Sequence, residues 1–355
     1  MHFGPVKIDE AEGAILAHSL KAGKATFRKG RRLSPADLAA LAEAGVTEVI
    51  AAVLEAGDVH EDEAAAKLAQ AICGSGLLTT PAFTGRSNLK ASAPGLLVPD
   101  GARLDALNEI DESITVATVP ALAPLEAGQM VATVKIIPFA APQVALDKAL
   151  AVASGEAALL RLAPFRARRT GLVQTRLPGM KESLLEKTSS ALDARLARLG
   201  SPPAEERRVA HRAEAVSGAL KELAAEGCDL LLVSGASAVV DRRDVVPAGI
   251  VAAGGAIDHF GMPVDPGNLL LLGHIGTTPA IGLPGCARSP NENGFDWVLA
   301  RLLADLPVTR REVMRMGGGG LLTEIGSRPL PRAEAVKRAD PTARQAAPKV
   351  AALLL

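Results

Sequence analysis

Between residues 29 and 53 the apolar positions first recur at helical spacing and then run together as in a strand. Ser34 suits an N-cap, Pro35 the first helical position and Asp37 the first turn. Leu38, Leu41 and Ala42 form the expected buried stripe, Gly45 ends the helix, and 46–53 follows as a strand. A turn at Gly57-Asp58 leads to a second helix over 61–73. From about 76 to 165 Pro and Gly recur, with short β-rich runs at 113–119 and 130–137 between them.

From about 166 to 312 strand and helix patterns alternate. A strand at 171–175 precedes a helix at 181–199 ended by Gly200; a strand at 207–210 precedes a helix at 213–225 ended by Gly227. The run 229–233 is almost wholly apolar, as a strand buried on both faces requires. Pro247 opens a further helix, two short strands fall at 269–272 and 280–283, and a helix at 293–306 carries Trp297. The expected fold class is α/β: a doubly wound, mostly parallel sheet, preceded by a smaller α+β region (1–75) and a β-rich region (76–165). Beyond the α/β domain, 313–349 reads as a linker, with a flexible glycine run at 317–320 and a Pro-, Arg- and Ala-rich stretch at 328–348. The apolar residues 350–355 either join this sheet or open a further domain, and the second is the expectation.

Composition narrows the function classes. The chain of 355 residues is 48% hydrophobic but only 2% aromatic, so its cores rest on Ala, Leu, Val and Ile. A formal net charge of zero argues against a nucleic-acid partner, which needs a basic excess to displace counterions. The basic stretch 161–169 is either a small-anion patch or a solvated interdomain segment. Cys73, Cys228 and Cys286 stand far apart, with no paired framework, and the histidines lack metal-ligand spacing. There is no signal-peptide pattern, and no apolar run approaches the roughly 18 residues that span a bilayer. A soluble, cytoplasmic protein without a membrane partner is expected.

Ligands of open parallel sheets bind beyond the carboxyl ends of the strands, so the turns there are the candidates. Ser234, Gly235, Ala236 and Ser237 follow the apolar strand; small residues let an anion approach consecutive amides, though a tight connection reads the same way. Asp244, further along that loop, is a candidate general base or cation ligand. The turn Pro284, Gly285, Cys286, Ala287, Arg288, Ser289 precedes a helix, where backbone amides and Arg288 suit a phosphate. Cys286 reads as a small buried residue more readily than as a nucleophile, with His274 the histidine that could approach it in space. The stretch 178–183 lacks the upstream glycine of a nucleotide P-loop.

These turns resemble the molybdopterin-binding domain shared by molybdopterin molybdotransferases and adenylyltransferases. The resemblance is strongest over 229–306, at Pro266-Gly267-Asn268 through Leu272-Gly273 and Thr278-Pro279-Ala280 through Pro284-Gly285. Ser234-Gly235-Ala236-Ser237 with Asp244 is similar to the family's SGG loop, and Glu186-Lys187-Thr188 stands where the family has Asp-Ser-Asn. Residues 24–63 also look like the family's N-terminal region. The departures are Ala236 for the second glycine of the loop, Cys286 for the asparagine of the Pro-Gly-Asn turn, and Glu186 for the helix aspartate. The resemblance implies a role in molybdenum-cofactor biosynthesis, with molybdopterin as the pterin-phosphate ligand and Mg²⁺ or molybdate near Asp244. It implies catalytic roles for Asp244 and Glu186 if the domain turns over, and it implies a homo-oligomer. Residues 349–355 resemble the opening strand of a molybdenum-cofactor nucleotidyltransferase, which would be the fused partner. Three readings follow: capture of molybdopterin for that partner, molybdate insertion as a molybdotransferase-like transferase, or a degenerate oligomerisation scaffold. A distant fourth is a nicotinamide-nucleotide recycling protein. Asp244→Ala is expected to leave the fold intact, because a solvated loop carboxylate makes little core contact.

Overall fold

The computed structural model describes residues 1–322, and the readings over the stretches 328–348 and 350–355 lie outside the described residues. Near the N-terminus, Glu48–Val53 is the centre of a three-stranded antiparallel sheet between His2–Lys7 and Ile15–Leu16. The helix Pro35–Glu43 begins at the expected cap: Asp37 N–H donates to Ser34 Oγ at 3.3 Å, and Ser34 N–H donates to Asp37 Oδ2 at 3.1 Å. The buried stripe differs from the expected one. Leu41 is buried and Leu38 half-buried, but Ala42 is exposed, and Asp37 turns inward, where Arg31 donates to both its oxygens at 2.9 and 2.6 Å.

A second core runs from Val59 to Leu162. The helix Glu61–Ile72 packs in it, against a four-stranded sheet in which Met130–Ile136 pairs with Ile114–Thr118 on one side and Arg86–Ala91 on the other. The strands at 113–119 and 130–137 were legible in the sequence. Two helices there, Gly101–Asn108 and Gln143–Ala153, were not: the first is capped by Asp100, whose Oδ1 accepts from Arg103 N–H at 3.1 Å, and the second starts directly after a short strand.

From residue 170 onward the chain forms β1 (Thr170–Arg176), α1 (Glu182–Arg198), β2 (Glu205–Ala210), α2 (Ala213–Ala225), β3 (Leu230–Ser234) and α3 (Val245–Ala252). It continues through β4 (Gly255–Phe260), β5 (Leu271–Ile275), β6 (Thr278–Gly282), α4 (Gly294–Leu303) and α5 (Arg310–Met314). The six strands lie in the order β2-β1-β3-β6-β5-β4. The first four are mutually parallel, and β5 runs antiparallel to both β6 and β4, so the sheet is mixed. Alternate residues of a strand face opposite sides. Leu172, Leu230 and Leu232 pack with Leu192 and Leu196 of α1 and Phe295 and Val298 of α4. Val173, Leu231 and Val233 pack with Val216 and Leu220 of α2 and Ile250 of α3. The apolar run in β3 therefore serves two cores at once.

Three further features go beyond the sequence reading. β4 was not predicted: its residues lack apolar alternation, and it is an edge strand with a bulge between Ile257 and His259. The glycine run is docked rather than flexible, with Asp265 N–H donating to the Gly320 carbonyl at 2.8 Å and Leu322 N–H to the Asp265 carbonyl at 2.9 Å. Much of the basic stretch is neutralised: Arg166 and Arg168 pair with Asp305, and Arg169 pairs with Glu205 at 2.6 Å. Leu96 and Ala163 then pack on Ala300 and Ala304, joining the middle region to α4. No described helix is long and apolar enough to cross a membrane.

Candidate functional site

The strand order reverses between β1 and β3, since β2 lies on one side of β1 while β3 lies on the other. The crevice at such a reversal, beyond the carboxyl ends, is where an open α/β sheet places a ligand. Four segments meet there: the end of β1, the residue after β2, the turn after β3 and the turn after β6.

The β3 turn is built of small residues. Ser234 and Gly235 are buried, Ala236 half-buried and Ser237 exposed. A Cβ on Gly235 would stand 2.7 Å from the Ser237 carbonyl oxygen and 3.2 Å from a Val246 methyl, so only glycine fits unaltered. The Ala236 N–H donates to Thr175 Oγ1 at 2.7 Å. Thr175 is fully buried, and its Oγ1 lies 2.8 Å from His211 Nδ1. His211 follows β2 directly and places Nε2 3.3 Å from Ser237 Oγ. The imidazole of His211 thus lies between two hydroxyls, Thr175 Oγ1 at Nδ1 and Ser237 Oγ at Nε2. The chain Ala236–Thr175–His211–Ser237 fixes the turn.

The β6 turn is tied to the same place. Leu283 N–H donates to the Val233 carbonyl at 2.8 Å, Pro284 caps the short 3-10 turn Gly285–Arg288, and Arg288 donates to the Gly235 carbonyl at 2.6 Å. Arg288 thus bridges the two candidate turns. Behind them lies Arg195 of α1, only 1% exposed. Its guanidinium donates to the Ala287 carbonyl at 3.0 Å, the Ser289 carbonyl at 2.7 Å and the Asn291 carbonyl at 3.0 Å, and meets Asp296 Oδ1 at 2.7 Å. One buried fork thereby holds 284–291 in shape. Cys286 is half-buried and outside any disulfide, and Ser289 Oγ accepts from Asn291 N–H at 3.2 Å. His274, the sequence candidate for Cys286, pairs with Asp258 at 2.9 Å and lies beside Pro279, towards the opposite end of β6 from the turn.

The two candidate carboxylates are placed differently from one another. Asp244 is the N-cap of α3: Oδ1 accepts from Val245 N–H at 2.7 Å and Oδ2 from Val240 N–H at 3.3 Å. Both oxygens are bound to backbone, which gives this residue a structural task at the loop's end. Glu186 is exposed on α1 and, among the described residues, no hydrogen bond or ion pair ties it to the turns. No group of three or more His, Cys, Asp or Glu among the described residues stands together as a metal site. Arg212, next to His211, and Arg288 have no carboxylate partner among the described residues, which biases the strand ends towards anions.

Thr175, His211 and Arg195 were not singled out from sequence. Thr175 and His211 stood at the ends of two expected strands, so the strand-end rule applied to every strand, and not only to glycine-containing turns, would have found both.

Comparison with known proteins adds little at this level. A domain of unknown function, DUF8806, matches residues 5–53, which is the small N-terminal unit and far less than half of the chain. No curated protein matches the chain. Solved structures similar to it include a molybdopterin biosynthesis MoeA protein from Pyrococcus horikosii, 14% identical over 86% of this chain and 75% of that one, with a TM-score of 0.30. Another is a molybdenum cofactor biosynthesis protein from Pyrococcus furiosus, 14% identical over 86% of this chain and 64% of that one, with a TM-score of 0.25. Likeness at that TM-score decides neither fold nor function.

Proposed function

We propose that the crevice at the carboxyl ends of β1, β3 and β6 binds a pterin phosphate of the molybdopterin type, and that the chain acts in molybdenum-cofactor biosynthesis. The observation that carries this reading is the Arg288 bridge to Gly235 at 2.6 Å, which brings together the two turns that resemble the molybdopterin-binding family. The exposed small residues Ser237, Ala238 and Gly285 and the charges of Arg212 and Arg288 suit a phosphate. Capture and presentation fits better than turnover, because both Asp244 oxygens are held by backbone amides. In this reading the pterin is cargo, handed on to a nucleotidyltransferase domain whose opening strand residues 349–355 resemble. No step here is routed through a metal ion.

The test is binding of molybdopterin to the purified chain and to Ser237→Ala and Arg288→Gln variants. The expected outcome is weakening of about tenfold for Arg288→Gln, equivalent to roughly 1.4 kcal/mol, and a smaller loss for Ser237→Ala. Binding that needs added molybdate would move the reading from capture to insertion. Equal affinity in all three proteins would place the ligand elsewhere.

A further inference from the structure

A second cleft, of 540 Å³, lies between the stretch 121–124 of the middle region and the helices α4 and α5. None of its lining residues belongs to the turns described above. Its lining includes Leu122, Trp297 and Met316, together with Arg301 and Arg315. Three carboxylates also line it, and each already has a partner. Asp296 holds Arg195, Glu312 caps α5 through Thr309 N–H at 3.1 Å, and Glu292 accepts from the Trp297 indole N–H at 2.9 Å.

The two arginines are different. Arg301 is half-buried, and its guanidinium donates only to the Trp297 carbonyl, one turn back on the same helix, at 2.8 Å. Arg315 is exposed at the end of α5. Among the described residues neither has a carboxylate partner. Removing a guanidinium from water without a counter-charge is costly, and here burial lowers the basicity of Arg301 with no neighbouring charge to offset it. A bound anion would supply the missing partner and use donors that are already in place.

We propose that this cleft binds a small organic anion, its carboxylate or phosphate held by Arg301 and Arg315 and its apolar body lying against Trp297, Leu122 and Met316. The site is independent of the one proposed for pterin phosphate.

Trp297 is the only tryptophan in the chain and there is no tyrosine, so intrinsic emission reports on this cleft alone. The full chain is titrated with benzoate, phenyl phosphate, benzamide and inorganic phosphate. Saturable change with one or both aromatic anions, at concentrations at least about tenfold below those needed for benzamide or inorganic phosphate, is the expected result. Which of benzoate and phenyl phosphate acts at lower concentration identifies the head group. Arg301→Gln and Arg315→Gln should each raise the half-saturating concentration about tenfold. Arg315 is exposed, so its replacement keeps the test valid even if Arg301→Gln perturbs folding. No saturable change with either aromatic anion, equal response to benzamide, or an unchanged titration in Arg315→Gln would overturn the proposal.

Discussion

Asp244 accepts from two backbone amides, so replacing it removes a helix cap before it removes anything else. From sequence it looked like a solvated loop carboxylate whose loss the fold would ignore. The structure adds that Asp244→Ala should cost about 1 kcal/mol, with Asp244→Asn costing less, as read by urea denaturation. An unchanged midpoint would show that the cap contributes nothing. At Gly235 the constraint is space. A methyl group there meets the Ser237 carbonyl at 2.7 Å, so Gly235→Ala should displace the turn and destabilise the protein by about 1–3 kcal/mol. The small residues of this turn were visible in the sequence because their type is the signal. Thr175 and His211 were not, because a threonine inside a strand and a histidine after one look ordinary until the sheet brings them within 2.8 Å.

At the scale of elements, end signals were read more reliably than faces. Ser34, Pro35 and Gly45 marked the first helix, and Asn293 caps α4 where the pattern put its start. The face of the first helix was misjudged, because Asp37 reaches Arg31, outside the helix, and becomes buried. Hydrogen bonds from Arg31 hold the Asp37 carboxyl below the usual carboxylate range, outweighing the opposing effect of burial. A carboxyl depressed in the folded state contributes stability above its unfolded pKa, which is lost as pH falls through the folded value. The stability difference between the native protein and Asp37→Asn should therefore be constant near neutrality and shrink from about pH 4 downwards, measured as melting temperature. A difference that stays constant to low pH would refute the pairing. Arg195 couples α1, the turn 285–291 and α4, a role no periodicity announces: a charged residue on a helix reads as surface. Arg195→Met leaves the Asp296 carboxylate and three carbonyls without their buried partner, so a loss of about 3–5 kcal/mol is expected in chemical denaturation. A loss under about 1 kcal/mol would mean the carbonyls find water instead.

At the scale of the whole molecule, the alternating pattern from 166 onward foretold the parallel strands and the helices between them, because strands buried on both faces leave a continuous apolar run. It did not foretell the antiparallel end of the sheet. β4 is an edge strand with a bulge, and its pairing with β5 depends on a partner rather than on its own pattern. Nor did local pattern reveal that the glycine run near residue 318 docks on Asp265, since that contact joins segments distant in sequence. The two turns were legible as candidates one at a time; that Arg288 joins them depends on strand order, which a sequence read locally does not contain.

The central claim is that this joined crevice receives a pterin phosphate, and the direct measurement is fluorescence titration of the native chain and Gly235→Ala with molybdopterin. The account predicts saturable binding by the native chain at micromolar concentration or tighter, and weakening of about tenfold or more in a Gly235→Ala protein that is still folded by circular dichroism. Absence of saturable binding by the native chain, or equal binding by the two proteins, would contradict it.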